Sequence, residues 1–300
     1  MSKDEPLPAL DRTLYVVATP IGNLRDITLR ALDVLRQVDI VAAEDTRVTR
    51  LLAAHYGICA TLVSLHEHNE RRRAGEVVSW LAAGKRVALV SDAGTPAVSD
   101  PGAELVRAVA EAGYAIVPIP GASALIAALS ASGIRAAQWM FCGFLPASAA
   151  ARTKALERLR NYPCALVFYE APHRVAAVVA ALAAGFGDER MLVVAREITK
   201  RFESIHRCRL RDAAAWLAED DNRRKGEFVL IVDAPRIAGE ADANAYDATL
   251  SALLDEVPLA QAVRIAVAIT GAPRNRLYDR ALVLKNRVDK ASGSVAKQRR

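Results

Sequence analysis

The feature that most constrains the fold of this chain is the alternation of short β-rich runs with helical segments that begins at Thr13. Residues 13–19, 39–43, 86–91 and 114–118 are predicted strands, and a loop and a helical segment follow each of them. Strands and helices that alternate at this length predict a mostly parallel sheet with helices on both faces. The helix after residue 100 is expected to carry Pro101 in its first turn and Gly113 as its C-cap.

The pattern pauses near 134–138 and then starts again, which predicts a second α/β domain. Its predicted strands are 139–144, 164–169, 191–195, 204–210 and 227–232, with helices over 154–160, 173–184 and 212–218. We therefore expect a flexible N-terminus over 1–12, an N-terminal α/β domain over 13–135 and a second α/β domain over 136–236.

The last part of the chain, 237–300, is predicted to be a small helical module with a basic tail. AGEADANAY has the composition of a linker, and three short helices are predicted near 246–256, 258–270 and 274–285. The TGAPRN segment between the last two has the length of a helix-turn-helix turn. The final sixteen residues hold six basic side chains against one Asp, a composition that predicts disorder.

Composition narrows the class of protein. The 300 residues carry a net charge of +6, which weakly favours a polyanionic partner. The four cysteines are far apart in sequence and include no CxxC pair, so neither a disulfide framework nor a zinc site is expected. The N-terminus has no apolar signal region, and the longest apolar stretches are too short to cross a bilayer. A soluble cytoplasmic protein is the resulting prediction.

Three loops that follow strands are the places where a ligand is expected, because open parallel sheets bind ligands at the carboxyl ends of their strands. The loop over residues 18–26 has Gly22 as its only glycine, so it is neither a dinucleotide fingerprint nor a phosphate loop, and an ordinary turn explains it as well. The loop over 91–102 is long and rich in Asp, Gly and Pro, which favours a binding role. In the third, over 118–124, Ser123 could cap a helix or contact a ligand.

Several motifs in one order make the sequence recognisable: TPIGNL, VAAEDTRVTRLL, SLHEHNE, SDAGTPAVSDPG, VPIPGASA, FCGFLP, YEAPHR and AREITK. They resemble the ribosomal RNA small-subunit methyltransferase I family, within the tetrapyrrole-methylase fold group. The resemblance implies two α/β domains with a cofactor cleft between them, and a homodimer. It also implies S-adenosylmethionine-dependent 2′-O-methylation of a cytidine in the decoding region of 16S rRNA, with the small ribosomal subunit as partner and no metal or membrane.

The same resemblance suggests which residues contact the cofactor. Tyr169 could stack on the ligand or simply pack in the core. Few positive charges occur in these loops, which suits a sulfonium cation better than a phosphate group. The predicted cofactor contacts are Pro20, Asp92, Gly94, Thr95, Pro96, Ala122, Ser123, Tyr169 and Phe228.

A ribose hydroxyl is a weak acid, so its methylation needs a base or firm positioning. The catalytic hypotheses are Asp45, Glu44, Glu197 and Lys200. For Asp45 an alternative of equal weight is that it caps the following helix.

Clusters of basic residues point to RNA, although each alone is typical of a solvated surface. The predicted RNA contacts are Arg47, Arg71, Arg72, Arg73, Arg196 and Arg201. His66, His68 and Glu70 have a spacing seen in metal sites, but no further ligand is evident and surface chemistry or RNA contact is favoured. Two alternatives to an rRNA enzyme stay open: a tetrapyrrole methyltransferase of the same fold, and an RNA-binding or assembly factor without catalysis.

Overall fold

A computed structural model describes residues 10–235 and 246–297 of the chain, the last twelve by their backbone. The chain forms two compact units, Met1–Ala234 and Pro235–Arg300. The linker predicted at AGEADANAY lies outside the described residues except for Tyr246. Among the helices of the described ranges, none is both long enough and apolar enough to cross a membrane.

The first sheet of the larger unit is entirely parallel. It consists of β1 (Thr13–Val17), β2 (Ile40–Ala43), β3 (Thr61–Ser64), β4 (Val87–Val90) and β5 (Ala115–Ile119), in the order β3-β2-β4-β1-β5. Leu14 pairs with Val87 on one side and with Ile116 on the other. The loops that follow β1, β4 and β5 therefore lie side by side at the carboxyl edge of the sheet.

Helices cover both faces of this sheet, as the sequence predicted. They are α1 (Leu29–Gln37), α2 (Thr46–Tyr56), α3 (Glu70–Ala82), α4 (Ala103–Glu111) and α5 (Ala124–Ser132). Val34 and Leu35 of α1 pack on one face of the strands, whereas Leu81 and Leu105 pack on the other. Such burial of apolar side chains on two faces is what a parallel sheet requires.

The second sheet is mixed. It consists of β6 (Trp139–Phe144), β7 (Ala165–Glu170), β8 (Met191–Arg196), β9 (Ser204–Arg209) and β10 (Phe228–Val232), in the order β6-β7-β10-β8-β9. Only the β6–β7 pairing is parallel, and the other three are antiparallel. One face is covered by α6 (Ala149–Leu159), α7 (Val175–Phe186) and α8 (Leu210–Ala218), and the other by Leu125 and Ala128 of α5.

The smaller unit has an apolar core of its own. It contains α9 (Asp247–Glu256), α10 (Leu259–Thr270) and α11 (Arg274–Lys297), and Leu250, Val263 and Leu277 are almost fully buried among them. Gly271 ends α10 in the left-handed conformation. The prediction of a disordered tail is wrong as far as Lys297, because α11 continues as a helix through that residue. Residues 285–297 contain no proline and several good helix formers.

Three local features differ from expectation. Strand β3 was not predicted because it has only four residues, all of them exposed or half-exposed. Helix α3 was not predicted because the Arg71–Arg73 triplet near its start gives the sequence a polar character, although Ala74, Val77 and Leu81 of the helix are buried. Helix α4 starts at Ala103 with Gly102 as its N-cap, so Pro101 lies before the first turn. The helix ends at Glu111 with Ala112 as the C-cap, one residue before Gly113. The three-part division of the chain into domains stays a prediction.

Candidate functional site

The loops after β1 and β4 are joined by a short antiparallel bridge at the carboxyl edge of the first sheet. The amide of Thr19 donates to the carbonyl of Gly94 at 2.9 Å, and the amide of Gly94 donates back to Thr19 at 3.1 Å. Gly94 has a φ of +83°, and a Cβ there would lie 3.3 Å from Cγ2 of Ile21. Glycine is therefore needed both for the backbone conformation and for the close approach of the two loops.

The loop after β5 joins this pair. The hydroxyl of Thr95 donates to the carbonyl of Ala122 at 3.3 Å, and a Cβ on Gly121 would lie 3.0 Å from Cβ of Ala18. The side chain of Ser123 caps α5 and accepts from the amide of Ile126. Three loops that are distant in sequence thus form one continuous wall.

Opposite this wall lies the carboxyl end of β7 and the start of β10 from the second sheet. Between them is a cavity of about 390 Å³, called here the first cavity. It is lined by Ile21, Ala93, Gly94, Thr95, Val98, Ser99, Asp100, Ser123, Ala124, Phe144, Tyr169, Glu170, Ala171, Pro172, Ile198, Glu227, Phe228 and Val229.

The first cavity is apolar and acidic in character. Asp100, Glu170 and Glu227 are in its lining, and among the residues that line it in the described part of the chain there is no Lys or Arg. Burial raises the pKa of Asp100, while a hydrogen bond with Ser91 opposes that shift. The hydroxyl of Tyr169 accepts from the amide of Leu125 at 3.2 Å, and the ring lies edge-on to Phe144. Such a lining suits an apolar ligand that carries a positive charge.

A second cavity of about 460 Å³ adjoins the first, and the two share Ile21, Ala93 and Glu227. Its wall includes exposed apolar residues of α2, and its polar groups come from both sheets. It is lined by Thr19, Pro20, Ile21, Gly22, Leu24, Val48, Thr49, Leu51, Leu52, Ser91, Asp92, Ala93, Lys200 and Glu227.

An ion-paired lysine borders the second cavity. Nζ of Lys200 donates to Oε1 of Glu197 and to Oε2 of Glu227, each at 2.9 Å. Burial disfavours the charge on Lys200, but the hydrogen bonds to the two carboxylates outweigh it and the pKa of Lys200 is raised. For Glu197, burial acts to raise the pKa, but the hydrogen bonds from the Lys200 ammonium and the Glu227 amide, together with the nearby positive charges, outweigh it and the pKa is lowered. Both groups are therefore charged at neutral pH.

Two glycines make room for this ion pair. A Cβ on Gly22 would lie 2.4 Å from Cγ of Lys200, and a Cβ on Gly226 would lie 2.4 Å from Cγ of Glu197. Glu197 and Thr199 have φ values of +51° and +68°, a conformation that side-chain-bearing residues rarely adopt. Strained backbone of this kind persists where the surroundings hold it and is common at functional sites.

Comparisons with known proteins bear on this arrangement. The family described as Tetrapyrrole (Corrin/Porphyrin) Methylases matches residues 13–214, and the RsmI C-terminal HTH domain matches 240–285. The ribosomal RNA small subunit methyltransferase I of Escherichia coli O157:H7 is 49% identical over 271 residues, covering 90% of this chain and 94% of that protein. The Pseudomonas aeruginosa protein of that name is 49% identical, covering 90% and 96%. The chain belongs to the ribosomal RNA small subunit methyltransferase I family.

Solved structures agree with the fold of this family. Cobalt precorrin-4 methyltransferase superposes with a TM-score of 0.54 at 21% identity, over 73% of this chain and 94% of that one. A uroporphyrin-III-C-methyltransferase from Thermus thermophilus gives 0.53 at 20%, over 74% and 94%. The predicted resemblance and fold class are thereby confirmed. The cofactor of this methyltransferase family is S-adenosylmethionine.

The predicted cofactor contacts fall into three groups in this family member. Gly94, Thr95, Ser123, Tyr169 and Phe228 line the first cavity. Pro20 and Asp92 line the second. Ala122 accepts from Thr95 behind the wall, and Pro96 follows Thr95 without lining either cavity.

Among the acidic catalytic hypotheses, Asp45 has a structural role at the start of a helix. It is the N-cap of α2, accepting from the amide of Arg47 at 2.8 Å, and it pairs with the Arg47 side chain. These hydrogen bonds lower its pKa to about 2, which makes it a weak base. The capping alternative is therefore favoured by the geometry, and the catalytic hypothesis stays a prediction. Glu44 lies beside Asp92, and burial raises the pKa of both carboxyls.

The predicted RNA-binding arginines are not in the lining of either cavity. Arg47 and Arg71 are exposed, Arg72 pairs with Glu76, and the guanidinium of Arg201 lies over Phe202. Arg73 and Arg196 are held by local structure: Arg73 bonds the carbonyl of Ser64, and Arg196 bonds the carbonyl of Lys225. The last two are thus the least free to contact a phosphate.

The SLHEHNE segment serves α4 rather than a metal in this geometry. Oε1 of Glu70 accepts from the amides of Gly102 at 2.8 Å and Glu104 at 2.9 Å, which satisfies free donors at the start of that helix. The rings of His66 and His68 are 6.0 Å apart. In the ranges that the structure describes, no group of three or more His, Cys, Asp or Glu side chains could hold a metal ion.

Sequence reasoning missed several residues of the cavities. Val98, Ser99 and Asp100 lie in the 91–102 loop, whose unusual length was the available signal. Ile198 follows β8 and Glu227 precedes β10, and neither position carries such a signal. The residues on either side of Ile198 have positive φ, which sequence alone does not reveal.

Proposed function

We propose that this chain transfers the methyl group of S-adenosylmethionine to the ribose 2′-hydroxyl of a cytidine in the decoding region of small-subunit 16S rRNA. Relatives named ribosomal RNA small subunit methyltransferase I share nearly half of their residues with it. The observation that carries the proposal is the pair of adjoining cavities, one fitted to the cofactor and one beside it that can admit an acceptor.

The first cavity fits the cofactor in size and in chemistry. A volume of about 390 Å³ lies within the range of small-molecule sites. Ile21, Val98 and Phe228 offer apolar surface to an adenosine, and Thr95 and Ser123 offer hydroxyls at its polar edges. A lining without basic side chains suits a sulfonium cation, and two of its three carboxyl groups already have partners, because Glu170 pairs with Arg174 and Glu227 with Lys200.

Lys200 is proposed to hold the acceptor hydroxyl. An ammonium group has three N–H donors, and the carboxylates of Glu197 and Glu227 account for two of them. The third can reach a ligand in the second cavity. Since the raised pKa keeps Lys200 protonated, it acts as a hydrogen-bond donor and not as a base.

When bound, the cofactor supplies an electrophilic methyl group on a positively charged sulfur. Lys200 orients the hydroxyl oxygen in line with that group, and Glu197 fixes the direction of the ammonium. Most of the acceleration then comes from positioning two reactants in contact. Glu44 and Asp45 remain proposals for the residue that receives the hydroxyl proton.

The smaller unit is proposed to contact RNA, and the chain to act as a homodimer in the cytoplasm. Residues 240–285 match a domain described as helix-turn-helix, and α10 and α11 flank the TGAPRN turn. The Arg47 and Arg71–Arg73 positions are proposed to add phosphate contacts outside the cavities. The small ribosomal subunit is the proposed partner.

The decisive test is transfer of tritium from labelled S-adenosylmethionine to unmethylated small subunits, to naked 16S rRNA and to a uroporphyrinogen. We expect label on one cytidine ribose of the RNA and none on the tetrapyrrole. Label on the tetrapyrrole would instead favour the alternative enzyme, and cofactor binding without transfer to any acceptor would favour a non-catalytic factor.

A further inference from the structure

The second cavity is shaped for a part of the substrate that no comparison assigns. We propose that it receives a single nucleotide turned out of the RNA stack, with the base against α2 and the ribose toward the first cavity. This inference rests on the proposed RNA methyl transfer and specifies where the acceptor binds.

Adjacency to the first cavity is the first argument. The two cavities share Ile21, Ala93 and Glu227, so they meet at these residues and ligands in both would be direct neighbours. Methyl transfer requires the reacting atoms to be in near contact, about 3–3.5 Å apart. A ribose at the shared boundary meets that requirement.

The apolar wall is the second argument. Val48, Leu51 and Leu52 are spaced three and four residues apart and therefore share one face of α2. Leu51 is 75% exposed, Val48 41% and Leu24 42%. The buried side of the same helix is formed by Thr49 and Ala53, so this face is a second apolar surface that the fold itself does not cover. A contiguous exposed apolar surface inside a cavity indicates a ligand with an apolar face.

A nucleobase is such a ligand. Bases splayed out of RNA stack on flat or apolar side chains, and enzymes that modify a nucleotide commonly extrude it from its stack to reach it. Apolar contact of this kind is tolerant of base identity, so the second cavity would accept a nucleotide while other contacts select the sequence.

The polar side groups of the cavity match a ribose and its phosphates. Thr19, Asp92 and Lys200 connect this lining to the first cavity: Thr19 pairs with Gly94, Asp92 precedes the shared Ala93, and Lys200 bonds the shared Glu227. Together with Ser91 they offer polar groups to ribose hydroxyls on that side. Around the apolar wall, Arg25 follows Leu24 in sequence, Arg47 precedes Val48, and Arg50 precedes Leu51, and all three arginines are exposed. Exposed positive charge beside residues of the wall favours the phosphates on either side of an extruded nucleotide, and Arg47 contributes less of it because it pairs with Asp45.

The test compares apolar truncation inside and outside the cavity. The double variant Val48→Ala/Leu51→Ala removes much of the wall, and Leu29→Ala is the matched control because Leu29 is 81% exposed on α1 and lines neither cavity. We measure kcat/KM for methyl transfer to unmethylated small subunits, cofactor affinity by calorimetry, melting temperature, and oligomeric state by sedimentation.

We expect the double variant to lose about tenfold in kcat/KM through a higher KM for the subunits. Its cofactor affinity, melting temperature and oligomeric state should equal those of Leu29→Ala. Val48→Ala/Leu51→Phe, which returns a stacking surface to the truncated wall, should recover most of the kcat/KM that the double alanine variant loses.

Equal kcat/KM for the double variant and the control would overturn the inference while leaving the proposed function intact. A change of oligomeric state in the double variant would also overturn it, because the wall would then be a protein interface. A wild-type protein that transfers no methyl group to RNA would overturn the proposed function and this inference together.

Discussion

Replacing Lys200 with methionine removes the ammonium group while keeping the length of the side chain that packs against Gly22. If the third N–H of Lys200 bonds the acceptor hydroxyl, its loss removes one charge-assisted hydrogen bond, worth about 1.5–3 kcal/mol. Each 1.36 kcal/mol changes a rate about tenfold, so kcat should fall roughly tenfold to a hundredfold. Cofactor affinity should change little, because Lys200 lines the second cavity and not the first.

The same substitution should also lower the free energy of unfolding, and the exposure of the two ion pairs of Lys200 sets the size of this loss. Glu197 is 17% exposed and Lys200 26%, whereas Glu227 is 75% exposed and its ion pair contributes little. We expect a loss on the order of 1–2 kcal/mol, mainly from a half-buried Glu197 carboxylate left without its cation.

This stability difference should depend on pH in a defined direction. The raised pKa of Lys200 means that its contribution is present below the ordinary value of 10.5 and is lost as the pH rises through the folded-state pKa. The lowered pKa of Glu197 means that its contribution is present above 4.5 and is lost as the pH falls through its folded-state pKa. The gap between wild type and variant should therefore be widest between these two values.

Single-turnover methyl transfer measures the first effect, and urea unfolding at several pH values measures the second. Lys225→Met is the matched control, because Nζ of Lys225 bonds the nearby Asn222 side chain and Lys225 lines neither cavity. A Lys200→Met rate within about twofold of the control would refute the proposed contact with the acceptor. A rate loss accompanied by an equal loss of cofactor affinity would refute the assignment of Lys200 to the second cavity.

Three further predictions follow from features at the carboxyl edge and from the smaller unit. Gly94→Val should weaken cofactor binding about tenfold or more in calorimetry, because Gly94 has a φ of +83° and faces Ile21, and unchanged affinity would contradict the placement of the cofactor. Asp45→Ala should lower the midpoint of urea unfolding through loss of the α2 cap, and a kcat near zero with cofactor affinity retained would instead support catalysis by Asp45. Deleting residues 236–300 should weaken RNA binding and leave cofactor affinity unchanged. The slope of log affinity against log salt should become shallower by about 0.7–0.9 for each phosphate contact that is lost. An unaltered slope would show that the smaller unit does not contact RNA.

The sequence was most informative where local pattern decides structure. The strand predicted over residues 13–19 is observed over 13–17, and Ser123, predicted either to cap a helix or to contact a ligand, caps α5. The order of strands in the second sheet was not predictable in this way, because β10 inserts between β7 and β8 through long-range pairing. Helix α3 was likewise not predicted, because the three arginines at 71–73 suggested a solvated surface and the buried residues of the helix come after them.

In the site, as in the fold, residues in local motifs could be predicted, whereas contacts between segments distant in sequence could not. Loops after parallel strands meet at one edge, which pointed to the loops that hold Gly94, Thr95 and Ser123, and the family resemblance then suggested these residues. Which loop residues face which cavity could not, and Asp92 turned out to line the second cavity while its carboxylate accepts from the amide of Asp45. Glu227 was missed because its role depends on Lys200, which lies 27 positions earlier and meets it only in the folded chain.

Helix α5 has a consequence for how the binding site responds to ligands. Ser123 and Ala124 at its start line the first cavity, while Leu125 and Ala128 are buried against the inner face of the second sheet. Helix α5 therefore contributes to the wall of the first cavity and also packs against the second sheet. The width of the cleft is accordingly set by close packing in the core and not by a flexible connection between the two sheets. A ligand that enters such a preformed cleft loses little of its binding free energy to ordering the protein. A small shift of the second sheet would move α5 and, with it, the residues at the start of α5 that line the first cavity.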